Sequence, residues 1–190
     1  MLLDLAAIDA FIEERFTRSA FRLEVLDRYT VDSDQENVQS YLTGGPAPSW
    51  AAGDEWMDKL ARDRAADKRN CRVHVLRSPL SDYLRYECEW GYTYTSRAGE
   101  EIYILDLSET SRPEGLVDED FYLIDDEHAL VIRYDDNGRL LGGEPVAAAD
   151  TSRYRRCRDV ALAHAQPFGR YWAEHPQFWR QNWLPAESGH

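Results

Sequence analysis

Leu2, Leu5, Ile8, Phe11 and Ile12 step by three and four, which predicts a helix over residues 2–16 that must dock on something. In FRLEVL, Phe21, Leu23 and Val25 alternate with Arg22 and Glu24, so residues 21–26 read as a strand with the two charges on its solvent face. Residues 34–43 form a short helix stopped by Gly44, Gly45 and Pro46, and the Gly/Pro-rich window 44–53 marks a loop or hinge. Residues 54–68 follow as an amphipathic helix with acids in its first turn. The period then changes to two, with Val73 and Val75 set against Arg72 and His74 in a strand over 72–76. Ser78 and Pro79 supply the cap and first position of a helix over 79–94. EEIYIL, 100–105, completes a strand–helix–strand unit, which implies a parallel pair with a right-handed crossover.

Strands are expected at 121–125, 129–134 and 139–144, the last two joined as a hairpin through Asp135, Asp136, Asn137 and Gly138. Tyr154, Cys157, Ala161, Ala165, Phe168 and Trp172 space a covering helix, 152–166, which Pro167 kinks or splits. The class is α/β: a mixed sheet with packed helices and an N-terminal helical segment. Three parts follow: residues 1–50 packed on a core, the core itself over 51–174, and a tail over 175–190. Phe178, Trp179 and Trp183 give the tail an apolar patch that packs back or meets a partner.

Composition narrows the functional classes. Lys+Arg 22 against Asp+Glu 35 leaves a net charge of −13, which repels phosphate backbones and anionic lipid, so direct nucleic-acid and membrane roles are not expected. The apolar start is interrupted by Asp4, Asp9, Glu13 and Glu14, unlike a signal peptide, and no apolar run is long enough to span a membrane. Cys71, Cys88 and Cys157 stand apart without a CxxC pair, which fits free thiols and a cytoplasmic setting. No histidine pair has zinc spacing, and neither a GxSxG elbow nor a GxGxxG turn occurs, so no metal or cofactor is expected.

The densest chemistry lies in SPLSDYLRYECEWGYTY, residues 78–94. On a helix Tyr83, Glu87, Trp90 and Tyr94 form a stripe that sets one carboxylate among three aromatics. Such a carboxylate has a raised pKa and acts as a general acid or grips a cation; alternatively it pairs with an arginine inside a packed core. Arg22 or Arg72, on neighbouring strands, are the partners within reach, whereas Glu89 reads as a surface residue paired with Arg85 at i,i+4. Arg153, Arg155, Arg156 and Arg158 make a basic cluster, either a solvated face or an anion-docking patch.

The strings SAFRLEVLDRYTV, RVHVLRSPLSDYLRYECEWGY, AGEEIYILD, DFYLIDDEHALVIRYDDNGRLLGGEPV and YRRCRDVALAHAQPFGRYW resemble a family of uncharacterised actinobacterial proteins often encoded beside helix-turn-helix regulators. That resemblance implies a genomic setting and no activity. The order of strands, hairpin and helix ending in a YW pair more remotely resembles a half-domain of the phospholipase D-like superfamily. Its HxKxxxxD signature would fall on Glu119 and Phe121 counted back from Asp126, or on Asp118 and Asp120 from Asp125. The histidine and lysine are absent, so the resemblance implies a degenerate version without phosphodiester hydrolysis.

Two functions follow. One is a non-catalytic cytoplasmic regulatory or interaction protein with a cleft beside the helix 79–94. It would bind a small ligand or a protein partner, such as a helix-turn-helix regulator or a second copy of itself, through Arg22, Glu24, Tyr83, Arg85, Glu87 and Trp90. The other is a small enzyme using Glu87, Arg85 or Tyr83. A preformed concave pocket with Glu87 desolvated and unpaired favours the enzyme, and a flat apolar surface with Glu87 paired to arginine favours the partner-binding protein.

Overall fold

The computed structural model describes residues 2–48 and 54–183. The boundary expected at residue 50 lies outside them, as does the end of the tail. Seven strands form one sheet: β1 (Ser19–Glu24), β2 (Arg69–Leu76), β3 (Glu101–Asp106), β4 (Asp120–Ile124), β5 (His128–Tyr134), β6 (Leu140–Pro145) and β7 (Gln166–Pro167). Their order is β6-β5-β4-β1-β2-β3-β7. β1, β2 and β3 run parallel, and the remaining pairings are antiparallel. The mixed α/β class and the parallel pairing of β2 with β3 are those the periodicity predicts. β1 lies in the middle of the sheet, so the first fifty residues supply a central strand as well as a packed helix.

The helices are α1 (Leu5–Glu13), α2 (Gln35–Leu42), α3 (Glu55–Ala65), α4 (Asp82–Tyr86), α5 (Thr93–Ala98), α6 (Thr151–His164), α7 (Phe168–Glu174) and α8 (Arg180–Trp183). A π-helical turn, Glu87–Tyr92, joins α4 to α5. One face of the sheet carries a single apolar core, with ion pairs such as Arg133–Glu144 and Arg69–Glu101 at its ends. Phe21, Leu23, Val73, Leu105, Phe121 and Val131 meet Tyr154, Cys157 and Ala161 of α6 there. Pro167 splits the long C-terminal helix, as expected, and its segment adds the short strand β7 against Tyr103 and Ile104.

The opposite face is not uniform. At one flank Ile8 of α1 packs on Leu130 and Ile132. At the other, Leu84, Cys88 and Tyr92 pack on Leu76, Ile102 and Ile104. Between these flanks β1 and β2 present Arg22, Glu24, Arg72 and His74. The last three are buried, and Arg22 keeps a side-chain exposure of 20%. The period-two reading of β1 therefore holds, but its charged side is the floor of a recess and not an outer surface.

The helix over 79–94 begins later than Ser78 and Pro79 suggest. Ser78 is tied to the strand ends, its amide donating to Ser108 Oγ at 2.8 Å and its hydroxyl to Asp106 at 2.9 Å. Ser81 is the cap instead: its Oγ accepts from Leu84 N at 3.1 Å and donates to Asp27 O at 2.5 Å. The tail packs back where it is described. Phe178 is buried, Trp183 meets Tyr41 with ring centroids 5.7 Å apart, and Trp179 Nε1 donates to Trp172 O. The three cysteines are free and buried.

Candidate functional site

Strand register creates the charge problem that the site resolves. Pairing of β1 with β2 sets Arg22 beside Arg72 and Glu24 beside His74, and pairing with β4 sets Arg22 beside Tyr122. Two adjacent guanidiniums on one face repel unless acids answer them. Glu24, 3% exposed, answers both, with Oε1 at 2.9 Å from Arg22 and Oε2 at 2.9 Å from Arg72. Glu100 binds Arg72 through Nε at 2.9 Å and Nη2 at 2.8 Å. Burial would raise the Glu24 carboxyl, but the two guanidiniums, with His74 and the Tyr92 hydroxyl, hold it well below the usual range.

Below the floor, His74 Nε2 faces Leu26 O at 3.0 Å and Nδ1 faces the Tyr92 hydroxyl at 2.6 Å. That hydroxyl also lies 2.9 Å from Glu24, to which it can donate. Full burial lowers the His74 pKa against the pull of Glu24.

The walls complete a cleft of about 630 Å³. Leu5, Ile8, Asp9 and Ile12 of α1 line one side, and Tyr83 and Glu87 line the other. Tyr29, Tyr122 and Tyr134 stand around the floor, and residues 30–34 form the rim. Tyr29 meets Tyr134 at 5.1 Å and Tyr83 at 6.0 Å between ring centroids. Its hydroxyl donates to Asp120 at 2.7 Å. Gly138, at φ +77°, ends the β5–β6 turn against the backbone of the 28–30 loop; an added Cβ there would stand 2.4 Å from Arg28 O. Thr30 N donates to Gly138 O at 2.9 Å, and this close approach fixes the rim.

Among the described residues Glu87 makes no ion pair, and its one hydrogen bond is a long contact from the Tyr83 hydroxyl at 3.4 Å. Burial pushes its carboxyl up to about 7; Arg72 opposes the shift, and Glu24, Asp34 and Glu100 add to it. The expected arginine pairing is therefore not made, because Glu24 and Glu100 already occupy Arg72 and Glu24 occupies Arg22.

Of the residues picked from the sequence, Arg22, Glu24, Tyr83 and Glu87 come together in the cleft. Arg85 and Trp90 do not. Arg85 reaches Asp82 at 3.5 Å and lies over the Trp183 ring at 5.1 Å. Trp90 is buried against Tyr41 and Tyr86, at 5.0 and 6.0 Å, with Arg180 over its face. The physical reason is the π-turn: i→i+5 bonding widens the helix, so the step of three from Glu87 to Trp90 no longer keeps one face. Tyr94 leaves the stripe as well, half-buried beside Arg97. Nor is Glu89 a surface group paired with Arg85. It accepts from the Tyr41 hydroxyl at 2.8 Å and from Arg180 N at 2.6 Å.

Sequence reasoning missed Glu100 and the tyrosines Tyr29, Tyr122 and Tyr134. The available signal was the pair of arginines at the same phase of two adjacent strands, which calls for two acids nearby. Two of the four arginines of the α6 cluster are answered by acids, and Arg155 donates to Asp126 O. Arg158 pairs with Asp126 and Asp159, and Arg153 lies 3.7 Å from Glu119. Among the described residues no group of three or more His, Cys, Asp or Glu could hold a metal ion, and no helix is long and apolar enough to cross a membrane.

The chain belongs to a family described as a domain of unknown function, DUF6879, whose model matches residues 6–173. That span includes every cleft residue named above except Leu5. A search of curated proteins found no match.

Proposed function

We propose that this domain binds a small molecule in the cleft between α1 and the α4–π segment, as a non-catalytic regulatory protein of the cytoplasm. Its occupancy would be read by a protein partner, for which a helix-turn-helix regulator is the candidate that the resemblance to uncharacterised actinobacterial proteins suggests. The observation that carries the reading is the preformed concavity with an un-ion-paired Glu87 in its wall. Packing alone gives no reason to leave a carboxylate half out of water without a cation. Tyrosine rings beside a few convergent charges are the usual lining of a small-ligand pocket.

The remote phospholipase D-like resemblance adds no chemistry to this reading. At the place where its signature aspartate would fall, Asp125 accepts from the amides of Thr17, Arg18 and Ser19 at 2.9, 2.8 and 2.7 Å, which is a structural clasp on the start of β1. A second reading, an acid–base enzyme, is the one that an unpaired Glu87 in a preformed pocket favours over a flat partner-binding surface, and burial, which pushes that carboxyl up to about 7 beside Tyr83, supports it. Arg85 takes no part in it.

Two measurements test the proposal. Native mass spectrometry of the purified protein looks for a retained small molecule. Fragment titration followed by NMR is expected to move the signals of Tyr29, Tyr83, Tyr122 and Tyr134 together. Fragments that gather elsewhere, leaving those four tyrosines unmoved, would refute the cleft as the site.

A further inference from the structure

We infer that the ligand of this cleft is an organic cation, a protonated amine or guanidine on a flat or apolar body, with its charge at Glu87 and Asp34. The inference rests on the reading of the cleft as a small-molecule site and adds the class of molecule.

Its basis is an inventory of charge. Arg22 and Arg72 of the floor are matched by Glu24 and Glu100. At the rim, Arg139 stands 3.5 Å from Asp32. Each guanidinium lining the cleft thus has a carboxylate within 4.0 Å, with Arg22 Nε the one buried floor donor left without a hydrogen-bond partner among the described residues. Three lining carboxylates remain without a cation within 4.0 Å among the described residues: Glu87, Asp34 and Asp9. Asp34, on the rim at the start of α2, is close enough to Glu87 to act on it electrostatically. Among the described residues the only hydrogen bond to the Asp34 side chain comes from Ser33 Oγ, at 3.3 Å. An anion entering here would meet neutralised arginines and bare acids, whereas a cation would supply what the wall lacks.

The surroundings suit the rest of such a molecule. Tyrosine ring faces attract cations and stack on flat groups. Arg22 already uses the Tyr122 ring, 5.1 Å from its guanidinium carbon, and Tyr29 at 5.9 Å. Tyr83 and Tyr134 carry no such cation among the described residues. Leu5, Ile8 and Ile12 offer apolar contact beside Tyr134 and across the cleft from Tyr83. The Glu87 carboxylate is folded back on Gly91, where an added Cβ would stand 3.1 Å from its Oε2. A residue without a side chain at 91 leaves room for the carboxylate in this position.

The test uses one phenol skeleton with three charges: tyramine, the neutral alcohol tyrosol, and 4-hydroxyphenylacetate. Each is titrated into the full chain at pH 8 by NMR and calorimetry. Tyramine is expected to bind about tenfold tighter than either of the others, since a charge-assisted contact exceeds a neutral one by roughly that factor. Glu87→Gln should remove most of that preference and Asp34→Asn part of it, with both variants checked for native spectra. If the alcohol or the carboxylate binds in the cleft as well as tyramine does, the cation assignment fails and the cleft reading survives. If none of the three moves the cleft tyrosines, or if tyramine binds equally to both variants, the cation assignment fails too. In the first of those cases the small-molecule reading falls with it.

Discussion

Glu87 titrates near 7 because burial, reinforced by Glu24, Asp34 and Glu100, outweighs Arg72. A carboxyl whose folded pKa lies above its unfolded value holds its proton longer in the folded state. Stability from this group therefore falls as pH rises from about 4.5 to about 7. Glu87→Gln removes that slope, so the variant should be no more stable than the parent at pH 4. At pH 8 it should be more stable, by on the order of 2 kcal/mol. Urea unfolding at the two pH values checks this, and a variant equally affected at both would show that Glu87 is not strained by burial. Glu89→Ala should cost roughly 1–3 kcal/mol, since it strips the acceptor from the buried Tyr41 hydroxyl and from Arg180 N. Thermal denaturation measures it. The chemical singularity of Glu87 is legible in the sequence, which sets it among aromatics. The role of Glu89 is not, because its partners come from residues 48 and 91 positions away.

At the scale of elements, period two and period 3.6 locate every strand but β7 and the main helices, since those rhythms are dictated by the core they face. The π-turn carries no such rhythm, and it moves Trp90 and Tyr94 away from Glu87. Gly91→Ala tests the packing within that turn. The methyl would meet the carboxyl end of a flexible side chain at 3.1–3.2 Å, so Glu87 gives way toward the cleft. Stability should change by less than about 1 kcal/mol, the helix gain from Ala offsetting the push. The Glu87 titration, followed by carboxyl carbon NMR, should move down from about 7 toward the ordinary value. For α1, Ile8 is the one buried residue and the link to Leu130 and Ile132. Ile8→Ala should cost roughly 2–4 kcal/mol in chemical denaturation if the helix is docked as described.

Across the whole molecule the two faces of the sheet differ in kind. One is sealed by a single apolar core under α6; the other carries two apolar clusters with a charged strip between them. Sequence alternation reveals that a strand has two faces, but the division of one face into flank, strip and flank follows from strand order, which joins residues far apart in the chain. Across the strip the packing from α1 to the α4–π wall narrows to the tyrosine rings Tyr134, Tyr29 and Tyr83. The separation of these walls is then the softest dimension of the molecule, and α1 is the element free to open without disturbing the main core. Amide exchange should report this: protection highest in β1, β2 and β4, lower in α1. A molecule that touches Ile8 and Glu87 at once would act as a strut between them, slowing exchange in a helix it barely covers.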